Sequence, residues 1–166
     1  MHNELTRGDI ELMKKELDER RIRLRPQLLE EVKTARAFGD LSENFEYKAA
    51  KREKNRNESR IRYLERMIKT ARVVEVGETE GIGLFDKVTI RLIEDDEIET
   101  VQLVTSMRQD ALQGRITRNS PVGQALWGRR PGETVTVHVS DSCSYDVEIL
   151  SREPGVDDES LPILPY

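Results

Sequence analysis

Two acids three positions apart, Asp40 and Glu43, are the residues best suited to chemistry, and they stand in the stretch Gly39-Asp40-Leu41-Ser42-Glu43-Asn44. Carboxylates are hard oxygen donors that suit Mg²⁺, but Mg²⁺ wants six oxygens and keeps its waters, so two acids make a poor cage. Any metal chemistry at this pair needs oxygens from elsewhere. An isolated Asp-x-x-Glu says little, because such pairs occur on many solvated helix faces. What surrounds the pair decides between the two readings.

The flanks read as helices. Ile10, Met13, Leu17, Leu24, Leu28, Val32 and Ala35 step by threes, fours or a seven, and Ala50, Ile61, Leu64, Ile68 and Ala71 continue the rhythm beyond the acids. Only Ala37 to Ser42 interrupts, and so short a connection makes the two helices antiparallel, with the hairpin tip near Gly39 to Glu43. About 30 residues per arm, at about 1.5 Å each, give a projection on the order of 45 Å long. Thr6 followed by Asp9 resembles a capping box at its start, and Pro26 should bend the first arm because it lacks a backbone donor. Lys54 and Asn57 fall where apolar residues would face the partner helix, so the middle of the hairpin is expected to open more readily than its ends.

Charge divides the chain. Residues 1–75 hold 19 Lys+Arg against 15 Asp+Glu, whereas residues 76–166 hold 8 against 17. Residues 44–75 alone carry 10 basic against 5 acidic side chains, including Lys48, Lys51, Arg52, Lys54, Arg56, Arg60 and Arg62. A solvated face with pairs such as Glu58 to Arg62 is one reading of that run. The other is a basic strip that steers an anionic polymer toward the acids.

After Gly77 and Gly81 the period shortens to that of strands. Residues 87–92 and 99–104 alternate around the polar turn Glu94 to Glu97, and 134–139 and 145–150 form a second such pair. Between them Ser120 to Gly128 reads as a short helix with Pro at its start and Gly at its end. The expected class is α+β, an antiparallel two-helix coiled coil followed by an antiparallel sheet domain with one short helix. The boundaries drawn are 1–75 for the hairpin, 76–153 for the sheet domain and 154–166 for a loosely ordered tail.

Composition excludes several functions. At 36% charged and 5% aromatic, the chain suits exposed helices better than a large core. Cys143 is alone and His2 and His138 are the only histidines, which argues against a disulfide framework and a thiolate or histidine metal centre. His138 fits a strand's solvent face. No apolar run has the length of a membrane span and the N-terminus lacks signal-peptide regions, so a cytoplasmic location with no membrane partner is expected.

Residues 35–50, Ala-Arg-Ala-Phe-Gly-Asp-Leu-Ser-Glu-Asn-Phe-Glu-Tyr-Lys-Ala-Ala, closely resemble the tip signature of the bacterial Gre transcript-cleavage factors (GreA/GreB). Asn119 to Gly128, Asn-Ser-Pro-Val-Gly-Gln-Ala-Leu-Trp-Gly, resemble the family's second signature, and the similarity spans about 5–152. The resemblance implies an FKBP-like topology for the second domain. It also implies a monomer that binds RNA polymerase, inserts its coil into the secondary channel and stimulates cleavage of backtracked RNA by the polymerase. On that pattern Asp40 and Glu43 share the Mg²⁺ of the polymerase active site, with no cofactor of the chain's own, and Ser42 supports them. Lys48, Lys51 and Arg52 lie near the nascent RNA 3′ end, and Asn119, Ser120 and Pro121 dock on the channel rim. Asn44 and Tyr47 brace the tip, Gly39 permits its turn, and Leu41 packs either there or against the polymerase.

The chain departs from the pattern at Phe45, where alanine is usual, at Trp127, at the polar stretch from Lys54 to Ser59 and in its acidic tail. These departures keep open a channel-binding modulator without cleavage activity. A prolyl isomerase is the third class, and it would need an aromatic-lined pocket built from Phe85, Trp127 and Tyr145.

Overall fold

In a computed structural model the described residues are 3–39, 43–77 and 79–166. Chain order is β1 (Asn3–Leu5), α1 (Arg7–Asp18), a π-helical turn (Glu19–Leu24), α2 (Arg25–Arg36), α3 (Phe45–Thr70), β2 (Ala71–Val73), β3 (Lys87–Leu92) and β4 (Glu97–Val104). A short 3₁₀ turn (Ala111–Gln113) leads to β5 (Arg115–Thr117), α4 (Pro121–Leu126), β6 (Thr134–Ser140) and β7 (Cys143–Glu153). Two compact bodies result. One comprises Asn3, Ile10–Ala71 and Tyr166, and the other Glu4–Asp9 and Arg72–Pro165. Residues 4–9 and 72–75 pack with the sheet body.

In the helical body the expected stripe is buried in part, since Ile10, Leu24, Val32, Ala50, Ile68 and Ala71 are only half-buried and Met67, outside that stripe, is buried beside Ile68. Met13, Leu17, Leu28 and Ala35 on the first arm and Ile61, Leu64 and Met67 on the second are buried. Pro26 is the second residue of α2, directly after the π-helical turn. In that turn the Arg25 N–H reaches back to Arg20 O, one residue further than in an α-helix.

Polar groups cross the seam, and they are matched. Asn57 is buried, accepts from Arg20 Nη1 at 3.0 Å and donates to Arg20 O at 3.4 Å. Arg60 is buried and donates Nε and Nη2 to the two carboxylate oxygens of Glu16 at 2.9 and 3.1 Å, while Arg20 Nε meets Glu16 at 2.8 Å. Glu58 accepts two bonds from Arg25 at 2.7 and 2.9 Å and so ties the arms together, with Arg62 acting on it only through its charge. The Tyr166 ring lies against the guanidinium groups of Arg20, Arg56 and Arg60 at 6.0, 5.3 and 5.6 Å.

Strands β1 and β2 pair as a small separate sheet, and the five-stranded sheet differs from expectation in one strand. Order is β5-β4-β3-β7-β6, and all neighbours are antiparallel except β4 and β5, so the sheet is mixed. At three residues β5 is too short to show an alternating pattern, and the sequence gives it no signal. Ile82, Val88, Ile90, Leu103, Leu126, Val137, Val147 and Ile149 form the core, with α4 supplying Leu126.

A second cluster in this body centres on Arg108, which is fully buried. Its Nε donates to Asp9 Oδ1 at 2.5 Å, its Nη2 to Asp157 Oδ1 at 2.6 Å and its Nη1 to Asp158 O at 3.0 Å, and Phe85 packs 4.9 Å from its guanidinium. Asp9 also completes the box with Thr6, as Thr6 N donates to Asp9 Oδ2 at 2.9 Å and Asp9 N to Thr6 Oγ1 at 3.1 Å. Residues 154–166, expected to be loose, form no helix or strand but are held. Gly155 passes so close to Phe85 that a Cβ there would meet the Phe85 carbonyl oxygen at 1.9 Å, and Leu164 N donates to Met107 O at 2.7 Å.

The Glu16 carboxyl carries a pH signature. Burial raises its pKa, but hydrogen bonds from Arg60 and Arg20, with their charges, outweigh burial and hold it below the ordinary 4.5. A carboxyl depressed by folding contributes stability that is present above its unfolded value and lost as pH falls through the folded one. The hairpin's thermal midpoint should therefore drop as pH is lowered from about 5 toward 3. Circular dichroism melts should show part of that slope removed in Glu16→Gln.

Candidate functional site

The tip is built from both arms. α2 closes with tight bonds, Ala37 N to Thr34 O and Phe38 N to Ala35 O, both 3.2 Å. Gly39 follows with φ of 123°, a backbone conformation that side chains disfavour. Asp40, Leu41 and Ser42 lie outside the described residues, so the acid pair is described on its Glu43 side. Glu43 is exposed and, among the described residues, makes no ion pair.

Asn44 ties the two arms at this point. Its Oδ1 accepts from Tyr47 N at 3.0 Å and caps α3, while its Nδ2 donates to Ala35 O at 2.7 Å on the last turn of α2. One amide thus satisfies an orphan donor of α3 and adds a second bond to a terminal carbonyl of α2 that Phe38 N already reaches. Tyr47 adds a brace, since its hydroxyl accepts from Arg36 Nη2 at 3.3 Å and Arg36 lies 5.5 Å from its ring. That hydrogen bond holds the phenol below its ordinary pKa.

The basic run divides into two groups. Lys48, Lys51 and Arg52 are exposed and, among the described residues, make no ion pair. Arg60 is spent on Glu16, and Arg56 donates to the Tyr166 backbone oxygen at 2.9 Å. Sequence spacing alone does not separate these groups, because the sequestered arginines owe their state to Glu16 and Tyr166, which are distant in the chain.

In the sheet body Asn119 and Pro121 are exposed at the start of α4. Ser120 is its N-cap, with Oγ accepting from Gly123 N at 3.1 Å and donating to Thr117 O at 2.7 Å. The Ser120 hydroxyl therefore works inside the fold. The Arg118 guanidinium lies 4.3 Å from the Trp127 ring centre, beside the Asn119 and Pro121 surface, a pairing that nothing in the sequence signals. Of the aromatics a prolyl-isomerase pocket would need, Phe85 is fully buried under Arg108 and Trp127 is covered by Arg118. Among the described residues no three His, Cys, Asp or Glu side chains converge as a metal site, and no helix is long and apolar enough to cross a membrane.

Removing the Asn44 amide uncaps Tyr47 N and takes away the bond that ties Ala35 O to the other arm. Asn44→Ala should destabilise the hairpin by about 1–2 kcal/mol. Chemical denaturation followed by circular dichroism measures it, and an unchanged midpoint would show that the cap carries no load.

Comparison with known proteins gives a consistent answer. Residues 3–73 match the family described as transcription elongation factor, N-terminal, and residues 78–154 match transcription elongation factor, GreA/GreB, C-terminal. Transcription elongation factor GreA of Streptococcus pneumoniae serotype 19F (strain G54) is 41% identical over 151 residues, 90% of this chain and 94% of that one. GreA of Streptococcus sanguinis (strain SK36) is 39% identical over 154 residues, 92% and 96% of the two chains. Among solved structures, GreA factor homolog 1 (Gfh1) of Thermus thermophilus is 26% identical, covers 92% of this chain and 99% of its own, and superposes with a TM-score of 0.44. With both halves matched in order and the tip signature in place, the chain belongs to the GreA/GreB family of transcription elongation factors.

Proposed function

We infer that this elongation factor binds RNA polymerase, places its helical hairpin in the secondary channel and stimulates cleavage of the 3′ end of backtracked RNA by the polymerase's own active site. The observation that carries this reading is an exposed carboxylate, Glu43, free of ion pairs among the described residues, on a tip that Asn44 fixes from both sides. A carboxylate committed to an internal arginine would be unavailable to a cation. Held out in solvent at a braced turn, it keeps its donor oxygens for a site that another protein completes.

The residues of this chain would each contribute a simple term. Asp40 and Glu43 offer hard oxygen donors and would share Mg²⁺ with carboxylates of the polymerase. When bound, Mg²⁺ supplies Lewis acidity for phosphodiester hydrolysis. Ser42 offers a hydroxyl that can hydrogen-bond water or phosphate beside them. Lys48, Lys51 and Arg52 attract the RNA phosphates, an effect that should weaken as salt rises. Asn119 and Pro121 present the docking surface, with Ser120 holding its shape. The polymerase, and not this chain, performs the bond cleavage.

Backtracked polymerase supplied with Mg²⁺ and the parent protein should yield shortened RNA. Asp40→Asn and Glu43→Gln should each slow cleavage by about 10²-fold or more, the scale seen when a group that stabilises the transition state is removed. Cleavage by both variants at the parental rate would remove the assigned chemistry. Inhibition of synthesis by the parent, with no shortening, would instead establish a channel-binding modulator.

Docking separates from chemistry. Asn119→Ala with Pro121→Ala should weaken polymerase binding about tenfold while a melt of the free protein changes little. Undiminished affinity in a labelled-protein titration would place the docking surface elsewhere. Ser120 is a poor probe for this purpose, because its substitution also breaks the helix cap.

A further inference from the structure

Phe45 opens α3 with its side chain 80% exposed. A single solvated phenylalanine is common, so its neighbours must decide whether it has a use. Lys48 Nζ stands 5.7 Å from the centre of its ring. Positions 45, 48 and 52 step by three and four and so share one helix face, on which Lys48 and Arg52 are exposed and unpaired among the described residues. An aromatic ring at the head of a cationic row suits one ligand class in particular. Unpaired bases stack on such rings in a sequence-tolerant way while adjacent cations meet the backbone phosphates.

Phe38, the other exposed aromatic beside the tip at 72%, lacks this setting. It borders a shallow groove rimmed by Glu30, Glu31 and Glu46, whose carboxylates repel phosphate. Charge therefore selects Phe45.

We propose that Phe45 is a stacking platform for an unpaired nucleobase of single-stranded RNA, with Lys48 and Arg52 on the flanking phosphates. The proposal rests on the reading of the chain as a factor acting at the nascent RNA 3′ end, and it adds a recognition element that is indifferent to base identity. Phe45 contributes no proton, metal ligand or nucleophile. Its role is to position the RNA strand beside the acids.

The test uses the full chain and polymerase stalled in a backtracked state, with 2-aminopurine as the last base of the extruded RNA and Mg²⁺ withheld. The parent should quench 2-aminopurine emission, Phe45→Leu should need about tenfold more protein for half-maximal quenching, and Phe45→Trp should restore the parental response. Leucine is a good helix former of similar bulk and keeps α3 intact. Equal quenching by parent and Phe45→Leu, or none by a parent that binds polymerase and shortens RNA once Mg²⁺ is added, overturns the stacking role and leaves the cleavage reading standing. Phe45→Leu that weakens binding equally with and without extruded RNA overturns it in favour of a protein contact. A parent that neither binds polymerase nor shortens RNA overturns both.

Discussion

Two helices side by side bury little apolar surface, and a hairpin that must hold its tip in one place needs something besides oil to fix its register. Here that constraint is met by charge. Glu16 with Arg60 and Arg20, Glu58 with Arg25, and the amide of Asn57 with Arg20 link the arms at successive levels. Each linkage joins one arm to one depth on the other, so sliding by a turn would strand partly buried charges without partners. That penalty is steeper than the loss of a few interchangeable apolar contacts. The polar layer thus specifies the alignment of the arms, and the apolar stripe on either side supplies the drive to pair.

The same division of labour recurs at the tip. Asn44 and Tyr47 turn inward and spend their polar groups on Ala35, on the first turn of α3 and on Arg36. Glu43, Lys48, Lys51 and Arg52 face solvent. Asn44 and Tyr47 are satisfied within the chain, whereas Glu43, Lys48, Lys51 and Arg52 make no ion pair among the described residues. In the sheet body Ser120 is consumed by its helix cap while Asn119 and Pro121 remain presented.

Much of the fold is legible in the sequence because it depends on period. Threes and fours mark the buried positions Met13, Leu17, Leu28, Ala35, Ile61 and Leu64, although Met67 and not Ile68 is the residue buried next, and alternation at 87–92 and 134–139 marks strands whose inward residues are the core. β5 escapes because three residues carry no period. Glu58 was readable as a partner for Arg62 four residues on, yet it pairs with Arg25, since a ligand across the seam can offer two parallel bonds to the carboxylate.

The sequence by itself determined the family, through two ordered signatures, and it determined which stretches could be helix or strand, because propensity and spacing are local. Tertiary structure decided which charges remain available. Arg60 and Arg108 look in the sequence like any other basic residues, yet both are buried on carboxylates, Arg60 on Glu16 44 positions away and Arg108 on Asp9 99 positions away. Lys48 and Arg52 meet no such partner among the described residues. The availability of a charge depends on what folding brings beside it, and that is a long-range property which local pattern does not encode.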